Sequence, residues 1–214
     1  ESLWQQLLPL LHTAAGDEII LAAAEPAPAD WHAPPRTRWL DCRKDNNGDD
    51  SDSGSRSGRA AQMNAAAAAA QNPYLWFVHA DSRPAANALP LLRQALAAKP
   101  HALYYFRLTF YDGGWKMRIN EIGVRWRCRL FHNPFGDQAL CLAASLLQQL
   151  GSYDSRAPYG EDHLLALGAR RQNIPLICLA AHIGTSARRY QQQGWWKTIF
   201  LYQRLWWKQW QQHP

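Results

Sequence analysis

The chain has 214 residues, enough for one domain with a substantial core. Apolar residues make up 47% and charged residues 19%, a globular balance that excludes a disordered chain. No apolar run approaches the roughly 20 residues that a bilayer-spanning helix needs. Cys42, Cys128, Cys141 and Cys178 show no paired spacing, so they read as free thiols in a reducing compartment rather than a disulfide framework or a zinc site. The formal net charge of +6 is unevenly spread: no acidic residue follows Asp162, whereas Arg170, Arg171, Arg188, Arg189, Lys197, Arg204 and Lys208 do. Such a one-signed segment suits an anionic partner (phosphate groups, a nucleic acid or a lipid surface) or forms a solvated basic face.

Ser2 to His12 reads as a helix with Leu3, Leu7 and Leu10 on one stripe and Pro9 as a kink. Glu18–Ala23 and Arg36–Cys42 read as strands on either side of a proline-rich connection. The stretch RKDNNGDDSDSGSRSG, residues 43–58, is a polar Gly/Ser-rich loop with little to bury, expected to be poorly ordered. Then come a helix at Gln62–Ala70, a strand at Tyr74–Val78, a helix at Pro84–Ala98 and a β-rich run at Ala102–Tyr111. Trp115–His132, Leu140–Leu150 and Asp162–Arg171 read as helices, and the run IPLICLAA as a last strand. Strands alternating with helices predict an α/β fold with a parallel sheet.

Four patches carry candidate chemistry. Gly58-Arg59-Ala60-Ala61-Gln62-Met63-Asn64 opens a helix, where backbone N–H groups and an arginine suit a phosphate; an ordinary capped start is the plain alternative. His79-Ala80-Asp81 ends a strand, where Asp81 suits a hard divalent cation and His79 a second ligand, or where Asp81 simply forms a turn. Asn133-Pro134-Phe135-Gly136-Asp137-Gln138 is a sharp turn presenting Asp137 and Gln138. Glu161 and Asp162 open a helix, either capping it or holding a general base.

In this order and spacing, GRAAQMN, LWFVHADSRP, NPFGDQALC, YGEDHLLALGARR and TSARR resemble the bacterial family 2 glycosyltransferases, and among them the small subgroup associated with radical-SAM and selenodomain proteins. The resemblance runs from about Ser57 to Trp196. It implies a GT-A fold: an open, mostly parallel, Rossmann-like sheet flanked by helices. It implies a GT-A domain over residues 1–187, with a donor half to about residue 84 and an acceptor half over about 85–187, and a basic, Trp-rich C-terminal helix over 188–214. It implies inverting transfer of a sugar from a nucleoside diphosphate to an acceptor hydroxyl. Asp162, with Glu161 before it, matches the catalytic base. Arg59, Gln62, Asn64, Asp81, Arg188 and Arg189 match the donor side, Asp137 and Gln138 the acceptor side, and Asp81 with His79 the site of a divalent metal, Mn or Mg.

Three departures accompany the resemblance, one of them the long polar connection from Asp41 to Ser57. Family members start with a strand that precedes the first one seen here, so the first strand is expected to be absent from Glu1 onward. Ala22–Ala24 stand where an acid is expected. A non-catalytic nucleotide-sugar or protein-binding module with a decayed donor site is therefore a rival reading. A nucleic-acid binder is a weaker rival, because the basic residues follow no recognised module; no nucleic-acid partner is expected. In the tail, Trp195, Ile199, Tyr202, Trp206 and Trp210 share one helical face, suited to core packing, a dimer interface or peripheral contact with a membrane. The expected location is cytoplasmic, with the tail on the inner membrane face.

Overall fold

The computed structural model of the protein describes residues 2–43, 58–157, 160–201 and 204. The expected loop at 44–57 and the tail positions Tyr202, Trp206 and Trp210 lie outside the described residues. A five-residue helix α1 (Leu3–Leu7) runs into a 3-10 turn at Leu8–Leu10, where Pro9 falls, as the proline suggested. Strands β1 (Ile19–Ala23) and β2 (Thr37–Asp41) follow, then helix α2 (Arg59–Ala69), β3 (Tyr74–Trp76), β4 (Arg83–Pro84) and α3 (Ala88–Ala98). Strand β5 (Leu103–Phe110), α4 (Trp115–Phe131), β6 (Cys141–Ala143), α5 (Ala144–Gln149), α6 (Glu161–Arg171), β7 (Leu176–Thr185) and α7 (Arg188–Gln193) complete the order. A further helix occupies 195–201 beyond Gly194, whose φ of 86° ends α7, so the described part of the tail is interrupted there.

The α/β class is as expected, but the sheet is mixed rather than mostly parallel. β3, β6, β5, β7 and β4 form a five-stranded sheet in that order, in which only β5 and β7 pair in parallel. The strand that changes the pattern is β6, antiparallel to both neighbours. It hides inside the run expected to be wholly helical from Leu140. Three residues show no periodicity, and only pairing with Tyr74–Trp76 and Tyr104 makes them a strand.

Period-two alternation along β5 builds the core on both sides of the sheet. Leu103 and Tyr105 pack with Met63, Leu142, Leu146 and Leu165 on one face. Tyr104 and Phe106 pack with Leu92, Cys141 and Ile183 on the other. A strand buried on both faces is what a central position between two helical layers requires.

β1 and β2 form a separate parallel pair, with Ile19 opposite Thr37 and Ala23 opposite Asp41. Between β1 and β3 lies an apolar cavity of about 680 Å³. All five residues of β1 line it on one side and Tyr74–Val78 on the other. Met63, Ala66 and Ala67 of α2 and Leu92 and Leu96 of α3 close its faces, and Trp4 and Leu7 of α1 reach in as well.

Candidate active site

The site forms where α2 and α6 begin and the turn at Gly136–Gln138 passes between them. Glu161 and Asp162 occupy the first turn of α6, where the helix N-terminus favours negative charge. Both are buried, with side chains 7% and 5% exposed. Arg59, the first residue of α2, reaches across more than 100 positions of sequence to hold them. Its Nε donates to Glu161 Oε1 at 2.5 Å and its Nη2 to Asp162 Oδ2 at 3.0 Å. One guanidinium therefore neutralises part of two buried carboxylates.

Asp162 is tuned by its surroundings. Burial pushes its carboxyl up to about 7, helped by the nearby Glu161 and Asp137 carboxylates, while Arg59 and the backbone N–H donated by Gly136 pull the other way. Gly136 is required for that approach: a Cβ there would fall between 2.2 and 2.7 Å from the Asp162 carboxyl atoms. The glycine is needed for contact, beyond the turn that sequence alone suggested.

Asp137 faces the same cluster. Its Oδ1 is buried and has no hydrogen-bond partner among the described residues. Burial raises its carboxyl above the ordinary value, as does the negative charge of Asp81, against the attraction of Arg127, His79 and Arg59. His79 is held toward its neutral form by burial and by Arg59, opposed by Asp137, Asp81 and Glu161. The two strand-end residues and the two acid patches thus share one electrostatic neighbourhood, as the sequence order suggested. Among the described residues no group of three or more His, Cys, Asp or Glu side chains converges to hold a metal. His79, held toward its neutral form, one acid at Asp81 and an Asp137 oxygen unpartnered among the described residues suit an ion whose other ligands are phosphate oxygens and water, and do not form an all-protein cage.

The remaining sequence candidates divide into contact and scaffold positions. Gln62 lines the apolar cavity beside Arg59. Asn64 ties α2 to the loop before α6: its Nδ2 donates to Tyr153 O at 2.8 Å, and its Oδ1 accepts from the Tyr153 N–H at 3.0 Å. Gln138 is buried, with its Nε2 donating to Phe106 O at 2.9 Å and its Oε1 accepting from Phe135 N–H and Cys128 Sγ. Both amides act inside the protein as braces, because every polar atom of each is engaged there. Arg188 and Arg189 lie exposed at the start of α7. Asp112 sets that start by accepting from Ser186 Oγ at 2.9 Å and from the Ala187 N–H. The segment runs close to Asp81, since β4 pairs Arg83 with Gly184 and the Tyr111 hydroxyl donates to Asp81 O at 3.4 Å.

Four further residues belong here: Arg127 and Tyr153, which the sequence did not single out, and Asn133 and His163, which stood in its patches without a role. Arg127 of α4 lies 3.5 Å above the Phe135 ring and donates to Asn133 O at 3.1 Å, pinning the turn that carries Asp137. Asn133 and His163 share a 2.6 Å hydrogen bond that locks the turn to α6. Tyr153 packs on Phe77, its buried hydroxyl has no hydrogen-bond partner, and burial followed by Asp162 and Glu161 raises its phenol well above the ordinary value. No local motif marks Arg127 or Tyr153, and the motifs that contain Asn133 and His163 gave them no role; only convergence does.

A family model described as Glycosyl transferase family 2 matches residues 52–142, a span that includes Arg59, His79, Asp81 and Asp137 and stops before α6. No curated protein shows significant similarity to the chain. The match covers less than half of the chain. Taken with the α/β architecture, it supports a glycosyltransferase activity, and the chain is similar to family 2 glycosyl transferases over the segment that builds the arginine and turn side of the acid cluster.

Proposed function

We propose that the protein is an inverting glycosyltransferase that moves a sugar from a nucleoside-diphosphate donor to an acceptor hydroxyl, with Asp162 as general base. The observation that carries the reading is the buried Asp162 carboxyl, poised at about 7 against Arg59 and the Gly136 N–H. A base whose pKa lies near the working pH combines a useful ionised fraction with real basicity. Asp162 takes the proton of the acceptor hydroxyl as its oxygen forms a bond to the anomeric carbon. The bond from that carbon to the donor phosphate oxygen breaks, and its electron pair leaves with the nucleoside diphosphate. Arg59 keeps Asp162 and Glu161 oriented through this step, and Glu161 acts through Arg59 rather than on substrate. Asp81, with His79, would hold a divalent cation (Mn or Mg) shared with the donor diphosphate, and that ion would supply Lewis-acid stabilisation of the leaving group. Arg188 and Arg189, exposed at the start of α7, would add positive charge for the diphosphate. A decayed binding module is disfavoured, since every downstream acid is in place and Asp162 is tuned for proton transfer.

Titration of the protein with uridine and guanosine diphosphates, with and without manganese, tests the donor half of the reading. One diphosphate should raise the melting temperature in a metal-dependent way, and Asp81→Ala should remove that dependence. No response to any nucleoside diphosphate with metal refutes the reading.

The cavity between β1 and β3 supports a second element of it: an extended apolar strand joins the two sheets there. Among the described residues β1 pairs only with β2 and β3 only with β6, and residues of both strands line the cavity. Unpaired interior edges are avoided in folded sheets. At interior packing density a space of 680 Å³ takes about five residues of valine size. Arg59, Gln62 and His79 are among its lining residues, so a strand laid there would run beside the donor side.

A further inference from the structure

Helix α4 buries one face and exposes another that an ordinary water-facing helix would fill with polar side chains. Its inner face is set by Met117, Val124 and Cys128 against the core, and by Glu121, which accepts the Phe110 N–H at 2.7 Å. On the opposite side Trp115, Ile119, Ile122, Trp126 and Leu130 follow one another at steps of three and four residues. At 3.6 residues per turn they form one stripe roughly 80° wide along the helix. All five are exposed, from 46% at Ile119 to 68% at Trp115. The helix at 195–201 is tied to α4, with Trp195 Nε1 donating to Asn120 Oδ1 at 3.2 Å, and its Trp196 and Phe200 are exposed as well. A continuous exposed apolar patch of this kind marks an interaction surface.

The charges around the stripe narrow the partner. Lys116, Arg118, Arg125 and Arg129 are all exposed and flank it, three arginines on one side and the lysine on the other. The only acid on α4 is Glu121, turned inward to the Phe110 N–H. The fifth basic residue, Arg127, is engaged with the 133–135 turn. A second copy of the chain meeting this face through a two-fold axis would set the same cationic flanks against one another. An anionic lipid surface meets both demands. Its headgroups pair with the basic flanks, and its acyl boundary takes the Trp, Ile and Leu side chains, with tryptophan favoured at that depth. No described helix is long and apolar enough to cross a membrane.

We propose that α4 docks the protein in the plane of an anionic bilayer through Trp115, Ile119, Ile122, Trp126 and Leu130, with Lys116, Arg118, Arg125 and Arg129 on the headgroups. The docking stands independently of the sugar-transfer reading. Because Arg127 on the same helix braces the turn that carries Asp137, docking would also set the acid cluster close behind the lipid surface.

Flotation of the 214-residue chain with vesicles of phosphatidylcholine containing about a third phosphatidylglycerol tests the proposal. At low salt the protein should float with these vesicles at least tenfold more than with pure phosphatidylcholine, and 0.5 M salt should release most of it. Ile122→Ser/Trp126→Ser, at exposed positions, should abolish flotation while circular dichroism and melting temperature stay as in the parent. Arg118→Gln/Arg125→Gln/Arg129→Gln should abolish the preference for anionic vesicles. Trp196→Ser/Phe200→Ser separates the tail from α4 and should weaken flotation less than the α4 pair. Absence of flotation with anionic vesicles, or flotation that survives Ile122→Ser/Trp126→Ser, overturns the proposal. So does a concentration-dependent dimer that the same double substitution dissolves while vesicles have no effect, which would assign the face to a second copy.

Discussion

Arg59 is the perturbation that probes the acid cluster most directly. Arg59→Met keeps the aliphatic stem and removes the cation that the structure places against both Glu161 and Asp162. Leaving a buried charge without its partner costs about 3–5 kcal/mol in fully enclosed sites. The Arg59 side chain is 49% exposed, so solvent already screens part of that attraction, and about 2–3 kcal/mol is the expected loss at pH 8. The loss should depend on pH in a definite direction. In the native protein Asp162 keeps its proton up to about 7, whereas in the unfolded chain it ionises near 3.8. Between those values the native state binds the extra proton, so its stability falls as pH rises and then levels off above about 7. That interval corresponds to about 4 kcal/mol of penalty on the buried charged form. Arg59 is one of the groups that hold the value down, so its removal moves the native titration higher and extends the fall past pH 7. Urea denaturation at pH 5 and pH 8 reads this. Arg59→Met should lose under about 1 kcal/mol at pH 5 and about 2–3 kcal/mol at pH 8, and adding Asp162→Asn should restore at least half of the loss at pH 8. An equal loss at both pH values, or no recovery in the double variant, would refute the electrostatic account of the cluster.

The other predictions concern the base, the glycine and the cavity. With a responsive donor in hand, kcat/KM should rise with pH through an apparent value of about 7, and Asp162→Asn should lower turnover by about 10²-fold or more with donor affinity little changed; a flat profile between pH 6 and 8 counts against Asp162 as base. Gly136→Ala places a methyl group inside the Asp162 carboxyl radius and should cost about 1–3 kcal/mol in urea melts together with most of the activity, and a neutral result would mean that the turn and α6 are not in contact. Joining a segment of about five β-branched apolar residues to the chain ahead of Glu1 should raise the melting temperature by about 5 °C or more and suppress binding of an apolar dye to the cavity. The same segment with a central proline should do neither, and equal behaviour of the two would remove the strand from the reading.

Local pattern determined more of this protein than its charge or length did. The β-rich composition of LYYFRLTF made β5 legible as a strand, and the alanine-rich run made α2 legible as a helix, expected from Gln62 and found from Arg59, because residue preferences for strand and helix are local. The acids at 81, 137 and 162 were legible as candidates for a related reason, since each stands at a turn or element boundary that local residue types mark. Tertiary structure decided the rest. β6 became a strand only because β3 and β5 offered it partners. Gln138 and Asn64 became braces because carbonyls and N–H groups distant in sequence took up their amides. Arg59 became the counter-charge of Glu161 and Asp162 across more than 100 residues. The outward stripe of α4 shows the same limit: a helical period announces an apolar face, but whether that face turns to the core or to the outside depends on which other side of the helix the sheet has claimed. Hydrogen-bond partners and desolvation are properties of what surrounds a residue, and a single chain read in order contains the groups without their surroundings.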